Sequence, residues 1–238
     1  MSRHTLYHNL HEAFSGRGCP VCRLSSATVD RYLQSLLYQS VNDLDVRRYI
    51  RRSQGFCSEH AWALLERGDA LGIAIIHQDV IVNIRRKLVA ERPRYPRGTA
   101  RLWLRAAVPR MAVQAIRRIA RSIAPTETCQ ACAKRGAARD AYLETLLQHT
   151  RDPQMLSAWR ASDGLCWPHF RRLVELVRDE DSLEVAIEME LAHLGQLGSE
   201  LREFISRHDY RIGSTGFGAE SDSWRRAVAA VSGWQDET

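Results

Sequence analysis

Cys19-Pro20-Val21-Cys22, with Gly55-Phe56-Cys57-Ser58-Glu59-His60 further on, is answered by Cys129-Gln130-Ala131-Cys132, with Gly164-Leu165-Cys166-Trp167-Pro168-His169 further on. Cys57 lies 35 positions beyond Cys22, and Cys166 lies 34 beyond Cys132. The two passages consume all six cysteines of the 238 residues. Such economy fits ligands better than scattered buried thiols. The agreement extends past the cysteines. Tyr32-Leu33 and Leu36-Leu37 stand where the second half has Tyr142-Leu143 and Leu146-Leu147, and Asp43 and Asp152 follow as matching helix N-caps. This reads as an internal repeat whose halves each need a neighbour to complete a core.

The chemistry follows from the ligand types. Zinc takes four soft or borderline donors at tetrahedral corners, and Cys3His is one of its common closed sets. Cys19, Cys22, Cys57 and His60 make one set, and Cys129, Cys132, Cys166 and His169 the other, so two zinc ions per chain are expected. In Cys-x-x-His the i, i+3 spacing puts both side chains on one helix face, and the helix dipole favours the thiolate that binds metal. Four protein ligands leave no open coordination position, which argues against a zinc hydrolase. Spacing leaves one question open. Each half can close its own site, or Cys19 and Cys22 can cross-brace to Cys166 and His169. Iron–sulfur clusters are the alternative cofactor, because thiolates hold them and histidine can replace cysteine. A thiol–disulfide enzyme would need a βαβ context that is missing here.

Hydrophobic periodicity is helical throughout. Leu24, Val29, Leu33, Leu36 and Leu37 form a stripe over 21–39. Helices are further predicted over 44–52, 59–67 (capped by Ser58 and ended by Gly68), 69–88, 130–148, 153–162, 167–178 and 182–207. No stretch alternates long enough for a sheet. The predicted fold is all-α, with internally duplicated helical units, each with a Cys3His site, forming a pseudo-symmetric domain. The first repeat spans 1–90, a basic linker with an amphipathic helix 91–126, the second repeat 127–210, and a glycine-rich link with a last helix 211–238.

The run CPVCRL, the block VNDLDVRRYIRRSQGFCSEHAWALLERGDALG and the late SDSWRRAVAAVSG resemble an uncharacterised family of small bacterial proteins, a domain of unknown function with paired CPxC and GFCxxH motifs. The resemblance covers most of the chain apart from the basic segment and implies no activity. The second pair reads CQAC, without the proline of CPVC, a departure that spares the ligands.

Charge is unevenly placed. Residues 85–121 hold 12 Lys and Arg against Glu91 alone, leaving 22 basic and 27 acidic residues elsewhere. Within this segment a helix from Pro109 to Ile123 sets Arg110, Arg117, Arg118 and Arg121 opposite Met111, Ile116, Ile119 and Ile123. Such a face suits nucleic-acid phosphate, an acidic protein partner or an anionic membrane surface. Tyr95, Trp103 and Leu104 interleave aromatic and apolar groups with the charge. A solvated arginine face on a docked helix is the plainer reading.

His4, His8 and His11 share a face of the first helix, better read as a polar face than as a metal site. His77 and His193 are expected as satisfied core or boundary residues, and Glu66 and Glu175 on the surface. Glycines 213, 216 and 218 read as a flexible link. The chain carries no HExxH, GxSxG or CxxCH motif, and no catalytic constellation can be assembled. No apolar run reaches the length of a membrane span. The histidine-rich amino terminus lacks a signal-peptide core, so a cytoplasmic location is expected. The resulting expectation is a non-enzymatic zinc-binding helical scaffold or adaptor with a basic interaction segment. A redox or sensor protein using the same Cys3His sets is the second reading.

Overall fold

The structure, a computed structural model, describes residues 3–91, 110–207 and 218–234. Among them are eleven α-helices and no strand. In chain order these are α1 (Arg3–Ala13), α2 (Pro20–Ser35, running on as a π-helical turn Leu36–Ser40), α3 (Leu44–Ser53), α4 (Ser58–Leu65), α5 (Ala70–Glu91), α6 (Arg110–Ile123), α7 (Gln130–Gln148), α8 (Pro153–Arg160), α9 (Trp167–Leu176), α10 (Glu180–Arg207) and α11 (Ser223–Ser232). None is long and apolar enough to cross a membrane.

The caps follow the sequence closely. Asp43 accepts from the Asp45 and Val46 amides and Asp152 from the Gln154 amide, each satisfying N–H groups that a helix start leaves orphaned. The fourth helix departs from expectation. Its N-cap is Cys57, not Ser58.

The described residues group into two compact units, 1–29 with 134–238, and 30–133, whose boundaries fall inside α2 and α7. In the first unit, Leu10 and Phe14 of α1 pack with Tyr142, Leu143 and Leu146 of α7, Met155 and Trp159 of α8, Phe170 and Leu173 of α9, and Ala186 and Met189 of α10. Arg172 of α9 grips the Asp140 carboxylate of α7 with two guanidinium nitrogens, at 3.0 and 2.9 Å. Those bonds hold the Asp140 carboxyl down at about 2. In the second unit, Leu33, Leu36, Ile50, Leu64, Ile76 and Val80 are buried. Arg47 and Arg51 of α3 both reach Asp79 of α5, at 3.1 and 2.7 Å. The basic helix α6 packs on α5.

Candidate metal centres

Each ligand pair sits at a helix start. Cys57 and Cys166 are the N-caps of α4 and α9, extended in backbone, and neither sulfur caps an amide. Their carbonyls accept the first helical bonds: the Ala61 amide donates to Cys57 O, and the His169 and Phe170 amides donate to Cys166 O, all at 2.9 Å. The same arrangement opens α2 and α7, where the Arg23 and Ala133 amides donate to Cys19 O and Cys129 O. In all four pairs the second ligand lies one turn in, on the face of the first, and both sulfurs and imidazoles stand at the positive end of a helix dipole.

The structure resolves the open pairing in favour of cross-bracing. Cys19 and Cys22 meet Cys166 and His169 within the first unit, and Cys57 and His60 meet Cys129 and Cys132 within the second. In each group the four ligand atoms lie within 4.8 Å of one another. Around His169 Nδ1 stand the sulfurs of Cys19, Cys22 and Cys166 at 3.3, 3.4 and 3.2 Å. Around His60 Nδ1 stand those of Cys57, Cys129 and Cys132 at 3.1, 3.6 and 3.3 Å. Cys22 and Cys166 approach to 3.6 Å, as do Cys57 and Cys132.

Neither disulfides nor ordinary hydrogen bonds explain this geometry. A disulfide brings its sulfurs to about 2.05 Å, and all six cysteines are free. An imidazole Nδ1 carries at most one proton, so it cannot donate to three sulfurs together. A single ion does explain it. Bond lengths of about 2.3 Å to sulfur and 2.0–2.1 Å to nitrogen in a tetrahedron give edges of about 3.8 Å between sulfurs and about 3.6 Å between sulfur and nitrogen. The donor set fits a borderline-soft divalent ion. Without a cation the crowded thiols resist ionisation. Burial, then hydrogen bonding from Cys57, pushes Cys132 up to about 12, and hydrogen bonds with Cys19 and Cys22, with burial, push Cys166 far upward. A bound ion inverts that tendency.

Loop contacts staple the paired helix starts. In the first unit the Gly18 amide donates to Asp163 Oδ2 at 2.6 Å, tying the turn before α2 to the turn before α9. In the second the Thr126 amide donates to Arg52 O at 3.0 Å, tying the approach to α7 to the end of α3 just ahead of Cys57. The two groups differ in shelter. Cys19, Cys22 and Cys166 are buried, whereas Cys57, Cys129 and Cys132 are half-buried around a buried His60.

Several residues at the first group were not foreseen. The Trp234 amide donates to Cys22 Sγ at 3.3 Å, so the end of α11 closes the site from 212 residues away. The Trp234 ring also covers Gly18, which has φ +69° and would put a Cβ 2.3 Å from the indole. Glu190 of α10 is buried, and burial with the nearby Cys19 pushes its carboxyl up to about 7. His193 was expected to be satisfied. Its Nε2–H donates to Trp159 O at 3.1 Å, but its buried Nδ1 has no partner.

The other sequence candidates are placed as follows. His4 and His8 bring their Nε2 atoms to 3.2 Å, while His11 stacks on Tyr7 and stays outside that pair. His77 caps inward on Ile73 O. Glu66 and Glu175 are exposed, Glu175 accepting from Arg172. Arg117, Arg118 and Arg121 are exposed on α6, which Arg110 opens. Ile116, expected on the docked face, is 47% exposed, and the partly buried line is Val113, Ile119 and Ile123. Tyr95, Trp103, Leu104, Gly213 and Gly216 lie outside the described residues.

An all-helical chain with two Cys3His groups, each able to hold one metal ion, is thereby defined. It belongs to a family of unknown function (DUF6062), which it matches over residues 1–238. It is similar to an uncharacterized 23.9 kDa protein in the xynA 3' region of Caldicellulosiruptor sp. (strain Rt8B.4), with 25% identity over 226 residues, 94% of this chain and 99% of the relative. No solved structure matches it.

Proposed function

We propose that this chain is a zinc-dependent helical scaffold, in which two structural Cys3His ions each clamp two helix starts, and that α6 is its interaction surface. The observation that carries the reading is the convergence of three sulfurs on one imidazole nitrogen in both groups, at 3.1 to 3.6 Å, at or inside the edge of one tetrahedron. Zinc is favoured over an iron–sulfur cluster because bridging sulfides and several irons would hold the ligand atoms farther apart than the edges of one tetrahedron. The common build of the two groups supports reading the chain as an internal repeat, with helix start joined to helix start across the halves. Elemental analysis of protein purified without oxygen or an affinity metal tests this. Two zinc per chain and a colourless solution are expected. Iron with visible absorbance would overturn the reading and transfer function to redox chemistry at the same ligands.

The basic helix supplies the partner side of the proposal. Arg117, Arg118 and Arg121 project from a helix anchored on α5, a rigid display of guanidinium groups suited to phosphate oxygens. Nucleic acid is the partner favoured. Replacing all three with Glu should abolish binding to DNA or RNA. In the natural chain the affinity should fall with salt, with a log–log slope of about −0.9 per phosphate neutralised on duplex DNA. Binding that is absent at low salt, or unaffected by the triple substitution, would refute this assignment.

A further inference from the structure

The longest described helix carries a line of apolar residues that the core of its unit does not use. On one side of α10, Ser182, Ala186, Met189 and Glu190 are buried. On another, Ile187, Leu191, Leu194, Gly198, Leu201 and Ile205 follow one another in alternating steps of four and three residues. Ile187, Leu191, Leu194 and Ile205 are 41%, 65%, 40% and 67% exposed. Single exposed apolar side chains are ordinary on a protein surface. A line of them about 27 Å long, at a mean period of about 3.5 residues, is the seam along which two helices supercoil.

The line reads alike in both directions. About position 196, Ile187 mirrors Ile205, Leu191 mirrors Leu201, and Leu194 mirrors Gly198. A copy of α10 laid antiparallel across a two-fold axis therefore sets branched apolar side chains opposite each other in the outer layers, and Leu194 opposite the bare Gly198 in the central ones. Among the described residues an added Cβ at Gly198 meets only Arg202 Nη1, at 3.9 Å, which leaves room for a leucine. A parallel pair would set Gly198 against itself and leave a gap. Charge gives an independent check. The antiparallel register brings Glu188, which flanks the line near its start, to Arg202, which flanks it near its end, twice in each pair of helices. Both side chains are exposed, and neither has an ion-pair partner among the described residues. In a parallel pair they would stand beside Leu183 and Leu197, with no charge to meet.

We propose that α10 is a dimerisation element: two copies of this chain join through antiparallel pairing of residues 187–205, with Glu188 of each copy against Arg202 of the other. The seam is complementary to itself in shape and in charge, and a second copy of the same helix supplies both residue for residue. The pairing stands on α10 alone and is independent of which ion the cysteine and histidine groups hold.

Sedimentation equilibrium of the full chain across micromolar concentrations reads the oligomeric state, with far-UV circular dichroism as the check on folding. The natural chain should be a dimer. Leu191→Glu should raise the dimer dissociation constant at least about a hundredfold, because it sinks two unpaired carboxylates into the seam. Helicity should be unchanged, since Leu191 is exposed in the single chain. Arg202→Glu sets carboxylates face to face and should weaken the dimer about tenfold or more, and adding Glu188→Arg should restore it. That exchange decides the matter if Leu191→Glu does not fold. Orientation is read from Arg202→Lys treated with a water-soluble carbodiimide, which joins an amine to a carboxylate in contact with it. Positions 188 and 202 stand about 21 Å apart along one helix, so a crosslinked peptide joining them comes from two antiparallel chains. A monomer throughout the range, a dimer undiminished by folded Leu191→Glu or by Arg202→Glu, or a dimer without the 188–202 crosslink would each overturn the proposal.

Discussion

Cys57→Ser is expected to leave one zinc per chain in place of the two proposed for the natural chain, and to lose amide protection at the start of α7. Cys57 shares its group with His60, Cys129 and Cys132, so its loss frees the helix start at Ala133, whose amide donates to Cys129 O. The start of α2, where the Arg23 amide donates to Cys19 O, should keep its protection, because Cys19 and Cys22 belong to the other group. Hydrogen exchange read by mass spectrometry distinguishes the two positions. Deprotection at Arg23 rather than Ala133 would mean that each sequence half closes its own site. The energy at stake is large. Apparent binding free energies of structural zinc in small fingers run to about 10–16 kcal/mol, so the variant should lose at least the roughly 2–5 kcal/mol of a large core truncation. A stability change under about 1 kcal/mol with two zinc still bound would refute the ligand assignment.

That experiment bears on the feature the sequence could not decide. The candidate ligand set was legible because Cys-x-x-Cys and Cys-x-x-His are local patterns, fixed by one turn of helix. Their pairing is not local. Closing a chain loop of 35 residues or one of 144 differs by little in free energy, since each doubling of loop length costs only about 0.6 kcal/mol. Both pairings also provide three sulfurs and one imidazole. What decides is how α2 is placed against α9 within one unit and α4 against α7 within the other, and that is set by the packing of whole helices. Helix existence was readable from periodicity, and the Asp43 and Asp152 caps from side-chain chemistry. Ser58 was misread because a serine beside a cysteine is the stronger cap by propensity. Here the Cys57 backbone occupies the cap position and leaves its sulfur for the ligand group. His193 was misread for a different reason: helical spacing places it on an inward face, but only the structure shows that one nitrogen finds a carbonyl and the other none.

Gly18 offers the second large effect, and Gly68 its control. Both glycines have positive φ, +69° and +78°, a region where a Cβ meets the backbone at a cost of roughly 1–2 kcal/mol. Around Gly68 an added Cβ meets nothing within 4 Å, so Gly68→Ala should lose about that amount and no more. Gly18→Ala meets the same backbone term and also drives its methyl to 2.3 Å from the Trp234 ring, a contact that cannot persist. The indole must leave, and overpacking of this kind adds about 1–3 kcal/mol. Displacing Trp234 also disturbs its amide, which donates to Cys22 Sγ, so the substitution should reach the metal ligands and not only the turn. The expected result is a loss of about 2–5 kcal/mol for Gly18→Ala in chemical denaturation. Zinc should also transfer to a competing chelator faster from the first group alone. Equal destabilisation by the two alanines, with unchanged zinc release, would mean that Trp234 does not cover Gly18 and that α11 has no part in holding the ligands of the first group.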